Sequence, residues 1–355
     1  MLKVKQNLTF SKLRHSWVIK CLLVLMVAGL SILLTLFIFS KKYTSNHKTE
    51  KLTYGITFSA KQAQNFGLES DKVLESLLDD IGFRRFRLMS YWDDIEKIRG
   101  SYDYSVLDSQ IATIKKRGGM VTLAIGLRQP RWPECFIPNW ASNLKIEDYR
   151  NDLDNFIMNT VNRYKNDPSV LSWQLENEFH LDVFGACPDH SRRRLIEEYG
   201  LVNSGGNSKP IILTLANNYF GFPVGDPRPD LFGVSIYSRV FESRFLKKYI
   251  SYPFPSWYYS GRAGITETLT GRQSFIHELQ LEPWGPKPIW DMPVDEQNKS
   301  MDDKSIEKQL SFADNTGMKP IDLWGAEWWY WRKNIKNDPS LWNAVKSHVS
   351  NNLSN

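Results

Sequence analysis

The sequence predicts an α/β fold: a (β/α)8 barrel preceded by one transmembrane helix. Two observations carry that reading. After residue 52, short β-branched or aromatic runs alternate with longer segments of helical period, and there are eight such runs. Before it, an uncharged apolar run extends from Cys21 to Phe39 (CLLVLMVAGLSILLTLFIF), long enough to cross a hydrocarbon core as a helix. The chain's 355 residues suit one large domain, and 42% hydrophobic with 13% aromatic residues is ample for a packed core.

Residues 1–20 form a basic segment on the cytoplasmic side, and 21–39 form the transmembrane helix. A cleaved signal peptide is the competing account of the apolar run. That run is long for a signal h-region, and no small-x-small site follows it before Lys41 and Lys42. A single N-terminal anchor followed by a long polar chain behaves as a signal anchor, so the expected location is a single-pass cell-membrane protein with an extracytoplasmic body. Residues 40–51 (SKKYTSNHKTEK) are polar and without periodicity, which suits a short tether. The folded domain is expected over 52–350.

A net charge of +6 invites a nucleic-acid reading until its distribution is considered. Residues 1–51 hold nine Lys/Arg against the single acid Glu50, a net +8, which leaves −2 for the rest. A slightly acidic body has no electrostatic reason to prefer phosphate backbones, so no nucleic-acid partner is expected.

The strand runs are 54–58, 83–89, 120–127, 170–178, 211–217, 231–237, 274–278 and 321–329. Helices are expected over 70–80, 104–117, 146–165, 192–201, 242–249, 301–315 and 340–349, with Ser70 opening one and Gly118 and Gly119 closing another. A doubly wound open sheet is the rival, but no glycine-rich dinucleotide turn follows the first strand. Cys135 and Cys187 lie just after strands three and four. They therefore share a rim, and in an oxidising compartment a disulfide between them is expected.

In such a barrel the reacting groups sit at the C-terminal strand ends. Strand four ends in WQLENE (173–178) and strand seven in HELQLEPW (277–284). The segment FRLMSYWDDIEKIRGSYDYSVLD (86–108) adds an Arg-bearing strand followed by a tryptophan-acid loop. LAIGLRQPRWPECFIPNW (123–140) adds an R-x-P-x-W-P stretch. With these motifs the chain resembles the clan A (β/α)8 glycoside hydrolases, the cellulase-like and β-galactosidase-like retaining glycosidases, over most of residues 54–331.

The resemblance implies hydrolysis of β-linked sugars in an oligo- or polysaccharide by a two-glutamate retaining mechanism, with no cofactor. One carboxyl must enter protonated and give its proton to the leaving oxygen, while the other stays ionised and attacks the anomeric carbon. By the same resemblance Glu178 is the acid/base and Glu278 the nucleophile, with Glu176 and Glu282 the alternative acids. Asn177 would bond the sugar 2-hydroxyl, Arg87 would hold the nucleophile ionised, and Tyr237 would donate to it. His277, beside the nucleophile, is a further candidate substrate-binding residue; it and Phe179, where proline often follows the Asn-Glu pair, depart from many members.

Flat apolar sugar faces stack on aromatic rings, so Trp328, Trp284, Trp132 and Trp92 are candidate platforms. Trp328 and Trp284 lead, because strand eight of the clan supplies a platform; core packing competes at each. The segment HLDVFGACPDH (180–190) has histidines, acids and a thiol but no zinc spacing, so no metal is expected. Two other functions stay open on the same fold: a catalytically silent carbohydrate-binding surface protein, and an envelope transglycosylase.

Overall fold

In the computed structural model, residues 2–181, 185 and 187–353 are described. The chain starts with α1 (Leu2–Asn46), and the barrel begins with β1 (Tyr54–Thr57). Next come α2 (Ala60–Asn65), α3 (Ser70–Ser76), β2 (Arg85–Met89), α4 (Trp92–Ile95), α5 (Ser105–Lys116) and β3 (Met120–Ile125). The middle of the chain contributes α6 (Ile146–Tyr164), β4 (Val170–Leu175), α7 (Arg192–Ser204), β5 (Ile211–Leu215) and β6 (Leu231–Ile236). A two-stranded hairpin, β7 (Arg239–Glu242) and β8 (Lys248–Ser251), separates β6 from α8 (Ser256–Thr270). The chain closes with β9 (Ser274–Gln280), α9 (Val294–Gln297), α10 (Asp303–Asp314), β10 (Ile321–Trp324), α11 (Ala326–Ile335) and α12 (Ser340–Leu353).

Eight strands close in the order β1-β10-β9-β6-β5-β4-β3-β2, every pair parallel. All eight are the expected runs. Parallel strands buried on both faces need continuous apolar character, and βα connections lay helices over the outer face, although β5 runs to β6 through a helix-free loop. That pattern is what the runs and intervening helical segments encode.

Three local expectations are corrected. The helix expected over 242–249 is the β7–β8 hairpin, and the sixth unit's helix is α8. At the hairpin turn, the Glu242 carboxylate accepts backbone N–H bonds from Arg244, Phe245 and Leu246, which satisfies the turn locally. Pro253 and Pro255 then delay helix entry until Ser256.

The strand expected over 321–329 ends at Trp324; Gly325, at φ 135°, turns the chain into α11. The tether expected over 40–51 is helical through Asn46, continuous with the apolar run.

Residues 36–47 are a docked element with a polar and aromatic inner face. Ser40 Oγ lies 2.8 Å from Ser260 Oγ, the Tyr43 hydroxyl donates to the Ser274 carbonyl at 2.5 Å, and His47 Nε2 lies 3.0 Å from Glu267. Tyr43 is fully buried. The partner helix carries glycine where the two backbones meet. A Cβ on Gly261 would fall 2.4 Å from the Leu36 carbonyl oxygen, and one on Gly264 2.6 Å from that of Phe39. A single polar face at i, i+3 and i+7 is too short to register as amphipathic beside the apolar run, so only the tertiary contact reveals it.

Candidate active site

β9 pairs Ile276 with Ile321 and Leu279 with Leu323 on one side, and Ile276 with Val234 and Glu278 with Ser235 on the other. An extra β9 residue therefore sits at His277–Glu278. Such a bulge breaks the two-residue alternation and re-aims a side chain. His277 and Glu278 both point to buried polar partners as a result.

Both oxygens of Glu278 are occupied. Arg87 on β2 donates from Nη2 to Oε1 at 2.6 Å, and the Tyr237 hydroxyl at the end of β6 donates to Oε2 at 2.9 Å. Arg87 is itself aimed by Thr57 Oγ1 (3.0 Å) and Gln174 Oε1 (3.1 Å). Burial and the Glu278 charge hold the Tyr237 phenol well above its usual range, so it remains a donor.

Just past β4 the backbone is left-handed at Glu176 (φ 54°) and Glu178 (φ 47°). Non-glycine residues adopt this region at a cost, and such residues concentrate at functional sites. Here the turn breaks the pleat, which is how Asn177 and Glu178 can both face inward. The Glu178 amide donates to Thr214 Oγ1 at 2.7 Å, and its Oε1 accepts from Ser235 Oγ at 2.5 Å. Asn177 Oδ1 accepts from Gln174 Nε2 at 3.0 Å.

Burial first, then the charges of Glu278 and Glu134, hold the Glu178 carboxyl well above the usual range. Ser235, which bonds Glu178, is the register partner of Glu278 on β9, so the carboxyls that follow β4 and lie on β9 flank the same β6 residue. Glu134, which no sequence reading singled out, belongs to the same site. Burial, with smaller contributions from Glu278 and Glu176, pushes it up to about 7, against the pull of Arg128 at 2.7 Å.

The alternative acids are accounted for by structure. Glu176 accepts from the amides of Leu127 (2.6 Å) and Arg128 (3.1 Å) and pairs with Arg194 at 3.1 Å. Glu282 accepts from Arg131 (2.5 Å) and Trp324 Nε1 (2.7 Å).

The aromatic expectations divide. Trp284 is 39% exposed and meets the Tyr237 ring edge-on with centroids 5.4 Å apart, so it borders the site. Trp132 lies 72% exposed on the β3 loop. Trp328 has no exposed surface: it sits on α11 and donates to Gln297 at 2.7 Å, a core position. Trp92 is likewise fully buried.

The strand-end aromatic of β10 is instead Trp324, with the Arg87 and Arg131 guanidiniums 5.5 and 4.0 Å from its ring centroid. Its signal was legible as the last apolar residue before Gly325. The ambiguity of WGAEWW hid it.

His277, expected to touch substrate, is also fully buried. Its Nδ1 lies 2.6 Å from Asp322, which Arg85 pairs at 2.8 Å. Desolvation lowers the imidazole to about 4, so it is neutral and donates to the carboxylate. It buttresses the floor under Glu278.

Cys135 and Cys187 are disulfide-bonded, with Cα atoms 5.6 Å apart. Within 180–190, Asp182 lies outside the described residues. Asp189 pairs with Arg150 and His190 Nε2 lies 2.5 Å from the Phe179 carbonyl oxygen. Among the described residues no cluster of three His, Cys, Asp or Glu side chains fits a metal.

The closed barrel of eight parallel strands is a TIM barrel. A family model for β-galactosidase (glycoside hydrolase family 42) matches residues 75–204, which contain β2 to β4, the Asn-Glu pair and α7. No curated protein matches the chain in sequence.

Solved structures with the same fold include an exo-β-1,4-mannosidase from Opitutaceae bacterium strain TAV5. It is 12% identical with TM-score 0.58, over 85% of this chain and 60% of that one. A family 10 endo-β-1,4-xylanase from Gloeophyllum trabeum is 13% identical with TM-score 0.54, over 84% of this chain and 96% of that one. A β-galactosidase from the psychrophilic Marinomonas ef1 is 13% identical with TM-score 0.51 over 77% of this chain; the match spans about half of that longer protein, 54%. What these structures share with this chain is the (β/α)8-barrel fold.

Proposed function

We propose that the protein is a retaining β-glycosidase, held at a membrane by α1 with its barrel on the extracytoplasmic side. The observation that carries the chemistry is the contrast between two buried carboxyls. Glu178 is biased to its neutral form by burial and by neighbouring acids, while Glu278 accepts from Arg87 and Tyr237 at both oxygens.

The neutral Glu178 protonates the glycosidic oxygen as that bond to the anomeric carbon breaks, and a Glu278 oxygen bonds to the anomeric carbon from the other face. Water then attacks the same carbon. Glu178, now ionised, takes the water's proton as the ester to Glu278 breaks. Asn177 meets the sugar 2-hydroxyl, and the part-exposed Trp284, beside Tyr237, presents its ring to the sugar. The match to a β-galactosidase family model and the glycosidase neighbours support hydrolysis of glycosidic bonds.

Residues 21–35 of α1 are uncharged, predominantly apolar and, apart from Cys21, solvent-exposed, which supports the anchor. The Cys135–Cys187 disulfide supports an oxidising compartment.

Trapping with a panel of 2-deoxy-2-fluoro β-glycosides tests the chemistry. A covalent adduct on the peptide carrying Glu278, absent from Glu278→Gln, is the expected result. An adduct on any other residue, or turnover unaffected in Glu278→Gln, overturns it. Product mass spectrometry distinguishes hydrolysis from transglycosylation.

A further inference from the structure

We infer that the catalytic mouth of the barrel faces the bilayer from which α1 emerges, and that the substrate is a glycan held at that membrane surface. This rests on the reading of α1 as an anchor.

The direction in which α1 leaves the barrel decides the orientation. In a (β/α)8 barrel each helix starts at the catalytic rim, where its strand ends, and runs back to the opposite face. α8 therefore begins at the rim with Ser256 and ends at the far face with Thr270. The contacts of α1 along it run in the same direction. Phe37 packs on Trp257 (6.0 Å between centroids), Ser40 bonds Ser260, and His47 meets Glu267. Glu50 continues to Gln273, ahead of β9, and Lys319, ahead of β10, donates to the Glu50 carbonyl.

Followed backwards, α1 thus passes up the barrel wall and leaves it at the rim. Residues 17–35 extend beyond, solvent-exposed apart from the half-buried Cys21. At 1.5 Å per residue they reach roughly 28 Å, about one hydrocarbon thickness. Because the last turn of the apolar run is already docked at Leu36, little slack remains between bilayer and rim.

The rim itself carries the second, independent observation. The β7–β8 turn, inserted between β6 and the start of α8, exposes Phe245 (79%) and Leu246 (56%). Arg244, Lys247 and Lys248 flank them, all exposed. Apolar side chains ringed by cations insert at the boundary between acyl chains and anionic headgroups. Beyond α1, the exposed tryptophans and phenylalanines among the described residues are Trp132, Phe220, Phe245, Trp284 and Trp290, and every one lies in a loop after a strand's C-terminal end. A surface so biased, on the side where the anchor leaves, fits a bilayer.

The test uses the full chain in phosphatidylglycerol-containing vesicles, in a Cys21→Ser background. Phe245→Cys and, at the far end of α5, Lys116→Cys are each labelled with a fluorophore, and a quencher is placed on the lipid headgroups. Flotation of the same samples reads anchoring separately: chain that fails to float overturns the anchor reading. In chain that floats, quenching several times stronger at 245 than at 116 is expected. Equal quenching, or stronger quenching at 116, overturns the orientation.

A Phe245→Asp/Leu246→Asp variant should lower turnover of a lipid-linked aryl β-glycoside about tenfold while sparing the soluble glycoside. An equal effect on both substrates overturns the assignment of a membrane-held substrate.

Discussion

Arg87 donates from Nη2 to Oε1 of Glu278 across 2.6 Å, with side-chain exposures of 0% and 4%. At that burial neither charge has water to fall back on. Removing one partner of such a pair costs about 3–5 kcal/mol, chiefly from the charge left behind. Arg87→Met should lose that much stability by denaturant titration, and Arg87→Met/Glu278→Gln should recover a large part of it. The single variant should also lose at least about a hundredfold in kcat/KM.

Glu178→Ala should lower kcat by about a hundredfold to ten-thousandfold for substrates with poor leaving groups, and far less for aryl glycosides whose leaving group needs no proton. A uniform loss across leaving groups would count against the acid role.

The pH dependence follows from the direction of the Glu178 shift. Its folded-state carboxyl titrates above the unfolded value, so the folded protein binds the extra proton, and stability falls as pH rises from the unfolded value through the folded one. Glu178→Gln should therefore raise Tm at neutral and alkaline pH, with the gain vanishing in acid. Wild-type activity should fall on the alkaline side as this proton leaves.

Cys135 and Cys187 are separated by 52 positions in sequence. Closing a loop of that size restricts the unfolded chain by about 4 kcal/mol in the chain-entropy account. Dithiothreitol, or Cys135→Ser, should lower Tm by several degrees in calorimetry.

Gly261→Leu should push α1 off the barrel wall, since its Cβ alone would meet the Leu36 carbonyl at 2.4 Å. Limited proteolysis should then cut within residues 40–51 faster than in the wild type, while the barrel stays folded by circular dichroism.

Patterns local in sequence carried the architecture. Eight apolar runs, the apolar N-terminal helix and the Cys135–Cys187 pair were legible, because strand period is written in adjacent residues; Arg87, Asn177, Glu178, Tyr237 and Glu278 were singled out by the resemblance to the clan A glycosidases, not by periodicity. Where the structure overruled the sequence, the deciding interaction was distant in the chain. Trp328 and Trp324 look alike within WGAEWW until Gly325 turns one toward the core and the other toward Arg131. His277 reads as a site residue until Asp322, 45 positions on, claims its ring. α8 was missed because its two glycines argue against a helix in isolation, and they are there to admit the backbone of α1. The polar stretch after the apolar run read as a tether because Tyr43, Ser40 and His47 find their partners more than 200 residues later. Periodicity along one chain specifies elements; which face of an element is filled depends on what packs there, and only the tertiary structure decides that.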